Sequence, residues 1–590
     1  MDFRRASILN PSYEETAREL AGFALHSKVE RAATLGARAL CYGVRDAGIL
    51  KQLIDIAVAG SDNAAAEHYL KTLVAAEPIA PATQSKQIAV LRLRNDLSGL
   101  EAMADALPLS SETPAGLWND LLLALTELES ETVLEHGPRA LKAYPDESVL
   151  WFNHGLFHFH RNAYDQALRL FRRALLLNPS YAKALNQASV CLSGLYDHAE
   201  AETFSHRCLM IDPNHAVAWM NRGLFAKARR RLPEGIAYLR RAESLADGVY
   251  PDATYNLALH LMAIGKIEQG FKHYRLRWMT PTFAAHERNF PQPEWPGPQK
   301  APDADLLVFM EQGMGDEVLY SWILPWVRDD CRALTVECDE RLVTTFKRTF
   351  ANITFVPRRP AQTKKLERRE FDYQLPLVQT AEFYGERIHC QIAALSAGAD
   401  LRGQRLAPRL RTDPARLAHW RAYLAETFGD RLTVGVAWRS GLRTRLRDQQ
   451  YLTPEELARA LPPGIAVINL QYDHTPEEVA ALTTAGELEG FTFVTPPDIN
   501  LRDDLDDILA LTEALDLVVS PLISTPWMAA AVGTPSLVFR SNENGHIWLQ
   551  FSQRYIPWAP NIKLFFRSPE EPWDGPIAGI RADVARQLGG

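Results

Sequence analysis

The sequence predicts a multidomain protein in which an all-helical repeat region precedes an α/β half made of two Rossmann-like domains with a cleft between them. Through residues 1–280, apolar residues recur at three- and four-residue spacing, which is typical of amphipathic helices. From about residue 148 the sequence repeats with a period of 34 residues. Beyond a proline-rich stretch, short apolar runs alternate with helical segments, as in parallel sheets covered on both faces.

Length and composition bound the class of protein. The 590 residues suffice for about three or four domains, and a net charge of −8 disfavours nucleic acid as a partner. The six cysteines show no zinc-site spacing and the histidines no ligand cluster, so we expect no metal and no disulfide scaffold. Neither a secretory signal nor a membrane span is apparent, which favours the cytoplasm.

Residues 146–280 carry the signature of tetratricopeptide (TPR) repeats. The first copy has the expected residues at the expected offsets: Trp151, Gly155, Ala167, Phe171, Ala174 and Pro179. Small residues let two antiparallel helices approach closely, and proline ends the second helix. One pair cannot bury its apolar face, so neighbouring pairs must stack into a superhelix with a concave groove. A non-repeating bundle is the alternative.

Residues 1–145 also look helical but show no clean period, so degenerate repeats and a separate helical cap both remain open. A row of carboxamides recurs at one place in the first helix of the repeats, and its members are Asn153, Gln187, Asn221 and Asn256. Such side chains can pair with the backbone of an extended peptide, which makes them candidates for a protein-acceptor groove. Alternatively, Asn is simply common at this position of the repeat.

The domain boundary lies in a linker. Residues 281–305 contain six prolines, so we expect a semi-rigid spacer, with the linker assigned to residues 281–303. The two Rossmann-like domains are then expected at residues 304–415 and 416–590. Predicted strands fall at 306–310, 333–339 and 353–357 in the first domain, and at 433–438, 466–471, 491–495, 515–520 and 536–540 in the second.

Three loops at the predicted carboxyl ends of strands hold the candidate site residues. The first follows strand 306–310 and contains Glu311, Gly313, Gly315, Asp316 and Glu317. Its glycines allow close backbone approach to a ligand, and its helix start favours negative charge. The acids could instead be helix-capping groups, and the glycine spacing is not that of a dinucleotide fingerprint.

The other two loops lie in the second domain. Arg439 and Ser440 follow strand 433–438 and suit an anionic ligand, although a solvated basic loop would look the same. Ser524 and Thr525 precede Pro526, which predicts a capped helix start that binds an anion through its N–H groups. Four further residues after strands are weaker candidates for the same cleft: Gln471, Tyr472, Asn542 and His546.

Several segments, taken in order, resemble bacterial TPR-bearing glycosyltransferases: GFKHYRLRW, the Pro/Trp-rich linker, LLVFMEQGMGDE, VGVAWRSG, NLQYD, ALDLVVS and RYIPWAP. The catalytic half is similar to the heptosyltransferase-type GT-B fold, and the architecture resembles O-linked N-acetylglucosamine transferase. The resemblance implies metal-independent transfer of a sugar from a nucleotide donor. Asp316 would act as the general base, within a catalytic set that includes Glu311 and Glu317.

On the donor side, the resemblance implies that Arg439 and Ser440 face the phosphates and that Gln471 and Tyr472 face the nucleotide. Many relatives have Ser-Val-Asp-Thr where this chain has residues 520–523, Ser-Pro-Leu-Ile, and a histidine in place of Trp527. An acidic donor sugar would favour the loss of that carboxylate.

TPR-bearing relatives include flagellin-modifying enzymes that use CMP-nonulosonic (pseudaminic-type) acids. The resemblance therefore implies an O-glycosyltransferase with flagellin as the preferred acceptor. A lipopolysaccharide or capsule transferase and a non-catalytic TPR adaptor with a decayed transferase half are the alternatives.

Overall fold

The structure, a computed structural model, describes residues 47–78, 80–108, 113–229, 231–246, 248–284, 288, 290–311, 313–360, 364–366, 371–396, 404–441, 443, 445–541, 555–556, 559–568 and 571–588. The chain divides into two compact units, residues 1–218 and 219–590.

The first unit is built from antiparallel helix pairs. Its helices are α1 Ala47–Ala59, α2 Asn63–Ala76, α3 Pro81–Leu93, α4 Leu97–Ala106, α5 Ala115–Glu127, α6 Val133–Ala143, α7 Ser148–His160, α8 Tyr164–Leu177, α9 Ala182–Gly194 and α10 His198–Ile211. The first helices of successive pairs begin 33 or 34 residues apart. The TPR-like repeat therefore extends back to residue 47. Over the described residues, the segment before residue 146 consists of repeats rather than a separate cap.

One backbone turn recurs between the two helices of each pair in this unit. The turn contains a residue in the left-handed region, and these residues are Ser61, Asn95, Glu129, Asn162 and Tyr196. Residues of four different types thus share one conformation at a spacing of 33 or 34 residues. Only glycine adopts this conformation without cost, so the turn is set by the packing of the helices rather than by its own residue type.

The second unit begins with the remaining helices of the repeat. These are α11 Ala216–Ala228, which starts just before the boundary, α12 Leu232–Leu245, α13 Pro251–Ala263 and α14 Ile267–Tyr274. A 3-10 turn, Arg275–Met279, and the short α15, Pro281–Ala284, complete the helical part. The linker that follows packs against the first sheet, because Trp295 is fully buried and its backbone N–H donates to the Gln374 carbonyl at 2.9 Å.

A four-stranded parallel sheet comes next, with strand order β3-β2-β1-β4. The strands are β1 Asp305–Phe309, β2 Ala333–Cys338, β3 Thr354–Pro357 and β4 Tyr373–Pro376. Its helices are α16 Met314–Tyr320, α17 Leu324–Asp329, α18 Val343–Thr349, α19 Leu377–Thr380 and α20 Gly385–Ser396. Val308 of β1 lies in register with Val336 and Leu375, and all three are buried. This apolar centre explains why β1 and β2 were predictable.

The second sheet has seven strands in the order β10-β11-β9-β8-β5-β6-β7, parallel except for β10. The strands are β5 Thr433–Val436, β6 Ala466–Asn469, β7 Thr492–Val494, β8 Leu517–Pro521, β9 Ser536–Ser541, β10 Tyr555–Ile556 and β11 Ala559–Arg567. The helices are α21 Pro414–Phe428, α22 Arg445–Asp448, α23 Pro454–Arg459, α24 Pro476–Glu489, α25 Leu505–Ala514, α26 Ser524–Ala531 and α27 Asp574–Leu588.

Within the second unit, the two sheets and the last repeat helices share one hydrophobic core. The core contains Phe271 of α14, Val308 of β1, Trp527 of α26 and Val538 of β9. Burial of apolar surface is the main stabilising contribution to folding. The helical end of this unit is therefore part of the same packed body as the sheets.

Candidate functional site

The carboxyl ends of the two sheets meet at the loop after β1. A Cβ atom on Gly315 would lie 3.2 Å from Cδ1 of Trp527 and 3.3 Å from the Cα of Ser524. The loop after β1 therefore touches the start of α26, which follows β8. Since β8 is paired with β5 and the Ala437 N–H donates to the Val519 carbonyl, the loop after β5 lies at the same edge. Three predicted site loops thus converge.

The three acids of the loop after β1 have different surroundings. Asp316 is half-buried in the first turn of α16. The carboxylates of Glu311 and Glu317 are almost fully enclosed, and each faces an arginine. Arg277 holds Glu311, and Nη2 of Arg358 lies 2.8 Å from Oε1 of Glu317. The role of Asp316 as a general base stays a prediction.

The environment of Glu317 shifts its proton affinity strongly. Burial raises the pKa of Glu317 to about 7, against the opposing effect of Arg358 and of a 2.7 Å hydrogen bond from the Asp339 N–H. Desolvation penalises the ionised form more than the arginine favours it. The next residue after Asp316 in the chain thus has a carboxyl group with a strongly raised pKa.

Arg439 is engaged by acids of its own domain. Its Nε and Nη2 donate to Glu478 at 2.6 and 2.7 Å, and its Nη1 donates to Asp473 at 2.9 Å. Burial alone would raise the pKa of Glu478, but the bonds from Arg439 and the Thr475 N–H lower it to about 2. The guanidinium thus ties the loop after β5 to α24. Contact between Arg439 and donor phosphates stays a prediction.

Gln471 and Tyr472 also brace the loop after β5. Oε1 of Gln471 accepts the backbone N–H groups of Trp438 and Arg439 at 3.0 and 3.1 Å. The Tyr472 hydroxyl accepts the Gly441 N–H at 2.7 Å. Ser440, the neighbouring candidate, hydrogen-bonds the phenol of Tyr451. These side chains fix the shape of the loop, and any direct ligand contact is a further prediction.

An open pocket of about 490 Å³ lies beyond the ends of β6 and β7. It is lined by Tyr472, His474, Thr495, Asp498, Ile499, Asn500 and Leu501. Aromatic, amide and carboxylate groups converge there, as in sites for polar small molecules. Apart from Tyr472, sequence reasoning missed these residues. The one available signal was the polar TPPDIN segment, which directly follows a strand.

A second crevice, of about 700 Å³, separates the first sheet from the start of α25. Its lining is Asp339, Glu340, Arg341, Thr344, Arg358, Arg416, Asp503, Asp504, Leu505 and Asp506. The arginines are paired with acids across the crevice or beside it: Arg348, near its rim, donates to Asp506 at 2.6 and 2.7 Å. These charge pairs link the two sheets to each other.

The start of α26 differs from the prediction. The helix begins at Ser524, Ile523 occupies the N-cap position without a side-chain cap, and Pro526 is the third helical residue. The prediction that Ser524 and Thr525 precede the helix, with Pro526 at its first position, is therefore wrong. The cause is the turn before it, in which the Ile523 N–H donates to the Pro521 carbonyl at 2.9 Å. Ser524 is half-buried and Thr525 is buried.

The carboxamide row is partly internal. Asn153 is buried, and its Nδ2 donates to the Asn119 carbonyl at 3.1 Å, 34 residues earlier. Gln187 is half-buried in α9. In the second unit Asn221 is buried, and Nδ2 of Asn256 donates to the backbone carbonyl of Asp252 in its own helix at 2.8 Å. Peptide binding by the row stays a prediction.

Asn542 and His546 lie outside the described residues. Across the part of the chain that the structure describes, no group of three or more His, Cys, Asp or Glu side chains could hold a metal ion. No helix in those residues is long and apolar enough to cross a membrane. The described cysteines, from Cys191 to Cys390, are free thiols.

Comparison with known proteins gives the family. No protein-family model matches the sequence. Over 440 residues, which are 72% of this chain and 71% of the relative, the chain is 30% identical to Protein FlbA of Caulobacter vibrioides. The chain belongs to the FlbA family. The relative's name states no activity, so membership of the FlbA family alone assigns none.

Solved structures are similar to the helical part at low scores. A tetratricopeptide repeat protein from Parabacteroides merdae is 13% identical and covers 43% of this chain and 100% of its own, with a TM-score of 0.35. PilW, a type IV pilus biogenesis factor, is 15% identical and covers 40% of this chain and 94% of its own, with a TM-score of 0.27. Likeness at this level does not establish a shared fold or function.

Proposed function

We propose that this FlbA-family chain is a GT-B-type protein O-glycosyltransferase. It would transfer a nonulosonic acid from a CMP donor to Ser or Thr hydroxyls of a protein that the TPR-like helices recruit, with flagellin as the acceptor. The donor and acceptor classes come from the resemblance to TPR-bearing transferases. The observation that carries the proposal is the contact of Gly315 with the start of α26, which brings the carboxyl edges of two parallel sheets together.

The strand orders support two Rossmann-like domains. The first sheet runs β3-β2-β1-β4, and the parallel strands of the second run β7-β6-β5-β8-β9-β11. Both follow the order 3-2-1-4 of doubly wound nucleotide-binding folds, in which ligands bind beyond the carboxyl ends of the strands, where the order reverses. In the second sheet that point lies between β5 and β8, beside the loop after β5 and the start of α26.

The residues divide into a donor side and an acceptor side. On the donor side, the pocket formed by Tyr472, Asp498 and Asn500 would receive the nucleoside. The N–H groups at the start of α26 would face the phosphate, because helix N-termini attract anions. On the acceptor side, Asp316 would take the proton of the attacking hydroxyl.

In that step the acceptor oxygen bonds to the anomeric carbon, the bond from that carbon to the phosphate oxygen breaks, and CMP leaves with the electron pair. No metal is needed for this balance of charge. Stabilisation of the leaving phosphate by fixed dipoles at α26 would be the main contribution of the protein.

Intact-mass analysis tests the proposal. Purified chain, CMP-nonulosonic acid and flagellin should give flagellin with added sugar residues. Asp316→Asn should abolish the mass gain and keep the thermal stabilisation by CMP. Asp329→Asn, an exposed acid of α17, is the matched control and should behave as the wild type. Full transfer by Asp316→Asn would remove that residue from the mechanism.

One observation favours a second candidate, a non-catalytic TPR adaptor. Arg439 donates four hydrogen bonds to Glu478 and Asp473, so the charge of its guanidinium is already neutralised within the domain. The departure at residues 520–523 points the same way. The adaptor function is supported if flagellin binds the chain and its mass does not increase with CMP-, UDP- or GDP-linked sugars.

A further inference from the structure

Arg277 is enclosed at the junction between the last repeat helix and the first sheet. It belongs to the 3-10 turn after α14 and its side chain is fully buried. The guanidinium carbon lies 4.5 Å from the Tyr274 ring and 4.3 Å from the Trp278 ring. An arginine in such a place must have its charge and its donors satisfied within the protein.

All five N–H donors of Arg277 are in use. Nε donates to Oε1 of Glu311 at 3.0 Å, and Nη2 donates to both carboxylate oxygens of Glu311 at 2.7 Å. Nη1 donates to the Tyr274 carbonyl at 3.0 Å and to Oε1 of Gln379 at 2.9 Å. Only the planar fork of arginine can make this set of contacts.

The two partners on the sheet follow neighbouring strands. Glu311 comes after β1, and Gln379 lies in α19, directly after β4. Gln379 is itself fixed, because its Nε2 donates to the Phe271 carbonyl at 2.8 Å and to Glu382 at 2.6 Å. Arg277 therefore links the segments that follow β1 and β4, at the point where the order of the first sheet reverses.

We propose that Arg277 is a positioning residue, through which the last turn of the helical repeat fixes the loop that carries Asp316. Glu311 begins that loop and is held by Arg277, and Glu317 ends it and is paired with Arg358. Asp316 lies between these two clamped acids. The reaction role of this positioning rests on the proposed transferase function, whereas the order of the loop does not.

Arg277→Lys tests the proposal with its charge retained. An ammonium cannot span Glu311 and Gln379 together, so amide hydrogen exchange in residues 313–320 should become at least about fivefold faster. Turnover should fall between about tenfold and a hundredfold, because small displacements of a catalytic group are costly. The KM for the nucleotide donor should stay unchanged, since the donor lies against the other sheet.

Arg288→Lys is the matched control. Arg288 pairs with the fully buried Glu337 at 2.8 Å, but Glu337 lies within β2 and not in the loop. This variant should leave exchange in residues 313–320 and turnover at wild-type values. Wild-type exchange in Arg277→Lys, or equal effects of the two variants, would overturn the proposal.

The exchange readout separates this inference from the proposed function. If the wild type transfers no sugar, the transferase proposal fails. Exchange in residues 313–320 then still decides whether Arg277 orders the loop. Arg277→Lys keeps a cation beside Glu311, so we expect the variant to fold. Its melting temperature checks this before hydrogen exchange and turnover are compared.

Discussion

Replacing Gly315 by serine perturbs the point where the two sheets touch. A Cβ there would meet Trp527 at 3.2 Å and the Ser524 backbone at 3.3 Å, both closer than an ordinary van der Waals contact. Trp527 is itself buried, so it has little room to give way. Overpacking of this kind costs about 1–3 kcal/mol. Replacing a glycine within a helix stabilises it by about 0.5 kcal/mol, so the free energy of unfolding should fall by about 0.5–2.5 kcal/mol in total.

Gly313→Ser is the matched change two residues earlier. Gly313 is exposed, with Asp316 at 4.0 Å from its would-be Cβ, and it occupies the N-cap position of α16. Serine is favoured at that position, so this variant should be as stable as the wild type or slightly more stable. Thermal unfolding of the two variants should therefore differ by a few degrees, with Gly315→Ser lower. Equal melting temperatures would refute the contact between the loop and α26.

Three other predictions address the site and the repeat. Glu317→Gln should remove a pH dependence. Burial raises the pKa of Glu317 from 4.5 to about 7. The contribution of this carboxyl group to the free energy of unfolding is therefore full below pH 4.5 and is lost as the pH rises through 7. Urea unfolding should then show the wild type losing up to about 3 kcal/mol against the variant across this range. A constant difference would contradict the shift. Arg439→Met leaves Glu478 and Asp473 without their cation and should lower stability by about 2–4 kcal/mol in chemical denaturation. Unchanged stability would mean that the network contributes little. Asn153→Ala should cost about 1–2 kcal/mol, because the Asn119 carbonyl loses its donor. Peptide affinity that falls without any loss of stability would instead support a groove role for Asn153.

The order of helical and sheet elements was predictable because burial dictates their patterns. Strands such as β1 and β8 are continuous apolar runs, since both faces of a parallel sheet are covered. β4, β10 and β11 were missed. Tyr373–Pro376 includes Gln374 and ends in proline, and Ala559–Arg567 mixes Asn561 and Lys563 with its apolar residues. Polar residues within these strands interrupt the apolar pattern from which the other strands were predicted.

The sequence left the early repeats open beside a helical cap for a different reason. The signature tryptophan is present at Trp118, but it precedes Trp151 by 33 residues, so a search at a fixed period of 34 loses its phase there. The turns between helices keep one backbone conformation with Ser61, Asn95 and Glu129, three unrelated residue types. The turn therefore has the same conformation in each repeat, although the residue at its left-handed position differs.

The sequence indicated which loops form the candidate site, but not which groups pair with the charged residues in those loops. Acids and arginines at strand ends predicted ligand groups. The partners that occupy them, Arg277 for Glu311 and Glu478 for Arg439, lie 34 and 39 residues away along the chain. Sequence spacing carries no sign of such pairing. Only three-dimensional contacts distinguish a charge available to a ligand from one that is already neutralised.

Hydrogen exchange with and without CMP tests most directly whether the edge shared by the two sheets is the nucleotide site. If this edge binds the nucleotide, CMP should slow exchange in residues 472–501 and 524–531. Exchange should not change around the separate cavity of about 470 Å³ formed by Phe565, Gly575 and Gly579. Protection confined to that cavity, or no protection at saturating CMP, would show that the nucleotide does not bind at the shared edge.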